Sequence, residues 1–371
     1  MNKLLFKVHS YLALLAVVPI LIVCVTGSIL VFKHEIDSLL RGELVRVEPQ
    51  SQRMPLDSLL ASVNQAHPDY EAVGWTLFQD PGRADQMYVM EKGTSDWSYV
   101  FLNQYTGQVL QEPQLYDQFL TDWLLELHFN FLLHDAGMLV TSFFAAILML
   151  LGLTGLYLHR KFWKNFFTLR WKSRLVVYFS DMHKLVGVIA SPVLIILAFT
   201  GIWWNVVAYL YEMQEHADGS EHHVMVDRLY GEQVSFDAIV ASAEQRIAGF
   251  EATYLTLPYE PGVDIQVWGD VPTGNILTSE YASVVTFDEL SGDWLSTYDI
   301  REATTGAVIV DSYRRLHFGD FAGLLSKALW ALLGLSPVLL SVTGLTLWWK
   351  RRSQRQRARE KRREKLELAN A

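Results

Sequence analysis

Four stretches of this chain, 10–32, 138–158, 185–210 and 328–349, contain no aspartate, glutamate, lysine or arginine. Each is long enough to cross a hydrocarbon core, which takes about 20 apolar residues. Lipid offers the backbone no hydrogen-bond partner, so such segments must fold as helices that satisfy their own amides. A wholly soluble fold is thereby excluded. A mean hydropathy of +0.16, reached with 19% charged residues, fits an integral membrane protein with large polar parts outside the bilayer. The first stretch follows Lys3 and Lys7 as a signal peptide would, but its apolar run is too long and no small-residue cleavage site follows. Cys24 is the sole cysteine, and Val23 before it speaks against lipoprotein processing. A single cysteine also excludes an internal disulfide or a cysteine-ligated cluster.

Charge orients the spans. Segment 159–184 carries Arg160, Lys161, Lys164, Arg170, Lys172, Arg174 and Lys184 against Asp181 alone, and 350–365 carries ten bases. Segments 35–127 and 210–316 hold 34 of the 40 acids and ten of the 31 bases. The positive-inside rule therefore predicts cytoplasmic termini and middle loop, with two acidic lobes in a bacterial periplasm. The basic tail reads as an orientation determinant lying on anionic lipid rather than a nucleic-acid site.

The chain also repeats itself. LDSLLASVNQ from Leu56 matches FDAIVASAEQ from Phe236, and at the same offset Tyr70-Glu71-Ala72 matches Phe250-Glu251-Ala252. Each lobe predicts a short amphipathic helix followed by strands, with turn signals at Asp80-Pro81-Gly82 and Glu260-Pro261-Gly262. The expected boundaries are membrane helices over 8–34, 124–160, 181–211 and 313–350. Lobes are expected over 35–123 and 212–312, a cytoplasmic loop over 161–180 and a basic tail over 351–371. The expected fold class is an α-helical membrane protein: a four-helix bundle with two periplasmic α+β lobes, built as a tandem repeat about a pseudo-twofold axis along the membrane normal.

The histidines follow the repeat. His9 and His183 precede Thr26-Gly27 and Thr200-Gly201 at one shared spacing, while His128 and His317 precede Thr154-Gly155 and Thr343-Gly344 at another. Ionisable residues at membrane depth mark function. Symmetric pairs of imidazoles, without cysteine or a symmetric carboxylate, suit the two axial positions of a haem better than a tetrahedral zinc or copper site. The expected pairs are His9 with His183 near the cytoplasmic face and His128 with His317 near the outer face. His134, closer to the apolar segment, is the substitute outer ligand. Gly155, Gly344, Gly187 and Ala13 offer the small surfaces that a flat macrocycle needs, although small residues also mediate helix packing. His34, His159 and the loop pair His222-His223 read as interfacial or exposed.

FKVHSYLALL and SDMHKLVGVIASPVLIILAFTG at the inner entries, LHFNFLLHDAG and LHFGDFAG at the outer entries, and LTGLYLHR and VTGLTLWWKRR at the exits resemble the PepSY-associated transmembrane family. That resemblance covers nearly the whole chain, including both lobes, which would then be PepSY-like. It implies an iron-regulated inner-membrane oxidoreductase with two b-type haems, ligated by His9, His183, His128 and His317, that reduces a periplasmic ferric siderophore and frees ferrous iron. Arg314 and Arg315 are candidate partners for haem propionates. The acidic lobes favour cationic or neutral iron complexes. No dinucleotide fingerprint is present, so electrons are expected from a separate cytoplasmic reductase or membrane quinol. The alternatives are a siderophore or iron transport component and a non-enzymatic PepSY-type regulator of peptidases.

Overall fold

The computed structural model describes residues 3–161, 169–215 and 222–370. Part of the loop expected over 161–180, including Lys164, lies outside the described residues. The chain forms two compact units: a helical unit of Met1–Val31, Leu127–Leu210 and Gly323–Ala371, and a sheet unit of Phe32–Glu126 and Tyr211–Ala322.

The helical unit is built on α1 (Lys3–Leu30), α6 (His134–Leu158), α7 (Leu175–Glu215), α10 (Gly323–Gly334) and α11 (Ser336–Asn370). Among the described residues four helical stretches are long and apolar enough to cross a membrane, the last running from α10 into α11. Small residues let these helices approach closely. A side chain at Gly152 would meet Ile195 Cγ1 at 2.8 Å, and one at Gly334 would meet Ser28 Oγ at 2.7 Å. Cys24 packs as an apolar filler with Ala16, Ile20 and Ile147.

The helix expected over 124–160 is broken. α5 (Leu120–Asn130) ends before α6 starts, and Phe131 and Leu132 between them, with His134 at the first position of α6, take the left-handed conformation, at φ of 55°, 60° and 52°. Each such residue costs on the order of 1–3 kcal/mol and persists only where its surroundings over-determine it. Here the Asn130 side chain accepts from Leu132 N at 2.8 Å, and its carbonyl accepts from Leu133 N at 3.0 Å. Thr141 Oγ1 and Asn205 Nδ2 donate to the Phe129 carbonyl at 2.5 and 2.7 Å. Gly137 makes the fold-back possible, since a Cβ there would stand 1.7 Å from the Asn130 carbonyl oxygen. The helix expected over 313–350 is likewise interrupted: α9 (Thr305–Phe318) ends at left-handed Gly319, φ 71°, before α10 begins. The basic tail, in contrast, stays helical as the continuation of α11.

In the sheet unit the two expected lobes share one antiparallel sheet, ordered β4-β3-β2-β1-β5-β6-β7-β8. Its strands are β1 (Tyr70–Thr76), β2 (Asp85–Glu91), β3 (Trp97–Leu102), β4 (Gln114–Leu115), β5 (Glu251–Thr256), β6 (Ile265–Asp270), β7 (Ser283–Phe287) and β8 (Trp294–Tyr298). α4 (Leu56–Ala66) and α8 (Phe236–Arg246) contribute Leu59, Phe236 and Ile239 to a core with Trp75, Met87, Leu255 and Phe287. Preceding this core, α2 (Lys33–Leu40) and α3 (Gly42–Val45) begin the unit.

The merger follows from matched positions meeting one another. Trp75 pairs with Leu255 at the middle of the β1–β5 register. Leu77 N donates to the Thr253 carbonyl at 2.9 Å, and Leu257 N to the Val73 carbonyl at 3.1 Å. The helix caps are exchanged in the same way. The Asp237 carboxylate accepts from Leu56 N and Asp57 N at 2.8 and 3.1 Å, while the Asp57 carboxylate accepts from Phe236 N and Ser235 Oγ at 2.7 and 2.5 Å. A carboxylate at a helix N-terminus satisfies otherwise orphaned amides and complements the helix dipole. Asp57→Ala and Asp237→Ala are therefore each expected to lower the stability of the sheet unit by about 1–2 kcal/mol. Denaturant titration followed by circular dichroism reads this directly, and midpoints equal to wild type for both variants would show that the caps are dispensable.

Candidate functional site

Within the helical unit a cavity of about 670 Å³ is lined by α1, α6, α7 and α11. That size falls in the range of small-molecule and cofactor pockets, ~300–1,000 Å³. His9, Ala13, Gly155, His183, Gly187 and Gly344 all contribute to its wall. The expected inner pair of histidines thus shares one cavity with the expected small residues.

Both rings are held in the same way. His9 Nδ1 lies 2.8 Å from Thr154 Oγ1, and His183 Nδ1 lies 2.9 Å from Thr343 Oγ1. Each threonine hydroxyl donates its single proton back into its own helix, Thr154 to the Leu150 carbonyl at 2.6 Å and Thr343 to the Leu339 carbonyl at 2.7 Å. With the protons so placed, the threonine oxygens accept and the imidazoles donate from Nδ1. This fixes the tautomer and places the remaining lone pair on Nε2, the arrangement a metal-ligating histidine requires. Gly155 and Gly344 lie against the ring edges: a Cβ would stand 3.7 Å from His9 Cε1 and 3.3 Å from His183 Cε1.

His128 shows the same device. It reaches from α5 to α1, where Nδ1 lies 2.9 Å from the Val23 carbonyl and 3.2 Å from Thr26 Oγ1. Thr26 donates to the Ile22 carbonyl at 2.7 Å, and a Cβ on Gly27 would collide with His128 Cε1 at 2.6 Å. The Thr26-Gly27, Thr154-Gly155 and Thr343-Gly344 pairs are therefore histidine seats. They work crosswise: the pair on α6 seats His9, that on α11 seats His183, and that on α1 seats His128. Sequence spacing identified the residues and offered Gly155 and Gly344 as surfaces for a macrocycle, but gave the threonines no role of their own. The shared threonine before each glycine was the overlooked signal.

The remaining candidates fall elsewhere. His134 is exposed at the start of α6, whereas His128 is held against α1. His317 belongs to the sheet unit, where its ring meets Phe318 edge-on at 5.9 Å. Arg314 pairs with Glu280 at 2.6 Å, and Arg315 bonds Asp320 at 3.0 Å and the Thr278 carbonyl at 3.1 Å. Burial would raise the Glu280 carboxyl, but the two arginines and its hydrogen bonds outweigh that and hold it below its ordinary value. The charges of Arg314 and Arg315 are thus matched inside the sheet unit. His34 faces Asp80 at 3.9 Å and His222 faces Glu212 at 3.3 Å. His159, read as interfacial, lines the inner cavity, as do Lys7, Lys184, Arg351, Arg352, Arg355 and Arg359. Among the described residues no group of three or more histidine, cysteine or acidic side chains is placed to hold a bare metal ion. A closed zinc site needs four ligands. A planar macrocycle with two axial imidazoles, an apolar wall and glycine at the ring edges fits the donor set that is there.

The model of the family described as the PepSY-associated TM region matches residues 6–351. The chain belongs to this family. The match takes in every histidine and every Thr-Gly seat described above, and ends where the basic tail begins. A protein of Pseudomonas aeruginosa described as uncharacterized is 27% identical over 263 residues. The aligned part is 64% of this chain and 65% of that relative, so the chain spans just under two thirds of the relative's length. PepSY-associated membership and four apolar helices make this a membrane protein.

Proposed function

We propose that this PepSY-associated protein is a di-haem b electron carrier of the bacterial inner membrane that reduces a periplasmic ferric siderophore. The observation that carries the proposal is the cavity holding His9 and His183, each with Nδ1 bound to a threonine whose proton is already committed. Haem iron between two imidazoles cycles between the ferric and ferrous states by one electron. The chain's own part is to supply the ligands, lock their tautomers and keep the site apolar. His9 and His183 would hold the inner haem, and His128, seated against α1, would offer a ligand to the outer one. A tandem repeat supports this pairing, through the matched histidine frames and the exchanged caps at Asp57 and Asp237.

The basic segments 159–184 and 350–365 support a cytoplasmic side for this inner site, and the acidic segments 35–127 and 210–316 support a periplasmic location for the lobes. There a bound ferric siderophore takes up one electron, and the ferrous product leaves because hard oxygen ligands hold it less tightly. The donor is a cytoplasmic reductase or membrane quinol. The test uses sealed proteoliposomes with reductant on the tail side and a ferric hydroxamate or catecholate with a ferrous-selective chelator on the other. Coloured ferrous chelate should form with the wild-type protein and not with His9→Ala. A protein that becomes reduced yet yields ferrous iron from neither class is not a siderophore reductase.

A further inference from the structure

The cavity changes character along α11. Its lining descends one face of that helix from Leu340 through Gly344 and Trp348 to Arg351, Arg355 and Arg359. The steps are of three and four residues, the spacing of a single helical stripe. Arg351 stands two turns beyond Gly344, roughly 10 Å along the axis. Lys7 of α1 and Lys184 of α7 line the same cavity. Arg351 is braced by the Phe6 ring, 4.7 Å from its guanidinium carbon. An apolar slot between two imidazoles therefore opens onto a row of cations.

Membrane orientation explains a count of basic residues near the bilayer, but it asks nothing of the face on which they lie. Lys350, Arg357, Lys361, Arg362, Arg363 and Lys365 serve that count without lining the cavity. Arg355 and Arg359 also lie beyond the family match, which ends at 351. A row of arginines aligned with a ligand slot matches a ligand that is apolar along its body and anionic at one end, because the guanidinium fork recognises carboxylates by paired hydrogen bonds.

Building on the haem reading above, we propose that Arg351 and Arg355, together with Lys7 and Lys184, hold the carboxylates of the macrocycle that His9 and His183 ligate, with Arg359 extending the same cationic row. They serve the cavity of His9 and His183, whereas the candidates Arg314 and Arg315 precede His317 in the sheet unit. They make the cavity selective for the acid form of the macrocycle.

The experiment titrates haem-depleted full-length protein in nanodiscs with protohaem and, separately, with its dimethyl ester, following the Soret band. Wild type should prefer the free acid by about tenfold or more. The triple variant Arg351→Gln/Arg355→Gln/Arg359→Gln should lose that preference while keeping its affinity for the ester. A control with the same charge loss on another face, Arg357→Gln/Arg362→Gln/Arg363→Gln, should behave as wild type. Equal loss in both triple variants would mean that only overall charge matters, and would overturn the proposal. So would a preference present in phosphatidylglycerol discs and absent in phosphatidylcholine discs, which would assign the arginines to lipid headgroups. A wild-type protein that takes up neither macrocycle would refute the haem reading itself. Uptake of both with equal affinity would refute only the arginine assignment.

Discussion

His9→Ala and His183→Ala are each expected to weaken haem binding in the inner cavity by more than about 100-fold, so that the purified variants lose that haem. Two matching seats hold the two rings. Each ring presents Nε2 because Nδ1 is bound by a threonine that cannot donate to it, at 2.8 Å for His9 and 2.9 Å for His183. Removing the threonine hydroxyl leaves the imidazole but frees its tautomer and its orientation. Thr154→Val and Thr343→Val should therefore cost about 10–100-fold in affinity, the usual cost of losing a partner behind a metal ligand. Thr154→Ser and Thr343→Ser, which restore the acceptor, should return most of it. His134→Ala and His222→Ala serve as controls, since neither residue lines the cavity. Haem-to-protein ratios by pyridine haemochrome check the series. Equal ratios in the His9, His183 and control variants would remove these histidines from any cofactor site.

The largest effect on stability is expected at Asp122 and Arg41. Asp37, Arg41 and Asp122 are 7%, 5% and 6% exposed, and they form one buried ionic network with Lys33 and Tyr99. Lys33 Nζ stands 2.7 Å from Asp122 and 2.9 Å from Asp37, and Arg41 stands 3.0 Å from Asp37. Tyr99 donates to Asp122 at 2.5 Å, and Thr121 donates to Asp37 at the same distance. The Arg41 guanidinium also lies over the Phe119 ring at 3.8 Å. Deleting one member leaves the others buried and uncompensated, which typically costs about 3–5 kcal/mol. Asp122→Ala and Arg41→Ala should accordingly lower the unfolding midpoint of the sheet unit far more than Asp57→Ala does. Effects no larger than that of a helix cap would show the network to be solvated.

The same network predicts an acid limit. Burial alone would raise the Asp37 carboxyl, but Lys33, Thr121 and Arg41 together hold it below its ordinary value of 3.8. A carboxylate with a depressed folded-state value stabilises the protein fully above that ordinary value. The contribution is lost as pH falls through the folded value. The stability of Asp37→Asn should therefore approach that of wild type below pH 3.8 and fall short of it above.

The spans, the paired histidines and the sites of the two sheet helices were legible because each rests on a local pattern. An uncharged apolar run can only be a membrane helix, and Asp57 and Asp237 announced themselves by their repeated context. The break at 131–134 was not legible. It depends on Thr141 and Asn205 donating to the Phe129 carbonyl from elsewhere in the sequence, on Asn130 accepting from the Leu132 amide, and on a glycine whose importance is a collision avoided. His128 reaches α1, which the rise per residue could not reveal. The merging of two lobes into one sheet was equally hidden, since β1 and β5 pair across 180 residues. The basic tail could be counted but not faced: only the phase of α11 shows which arginines line the cavity.

The most direct test of the central claim is a reduced-minus-oxidised spectrum of the full-length protein purified in detergent from haem-replete cells, with a pyridine haemochrome count on the same sample. The proposed function predicts a b-type spectrum and close to two haems per chain. A colourless protein, with no haem recovered, would contradict it.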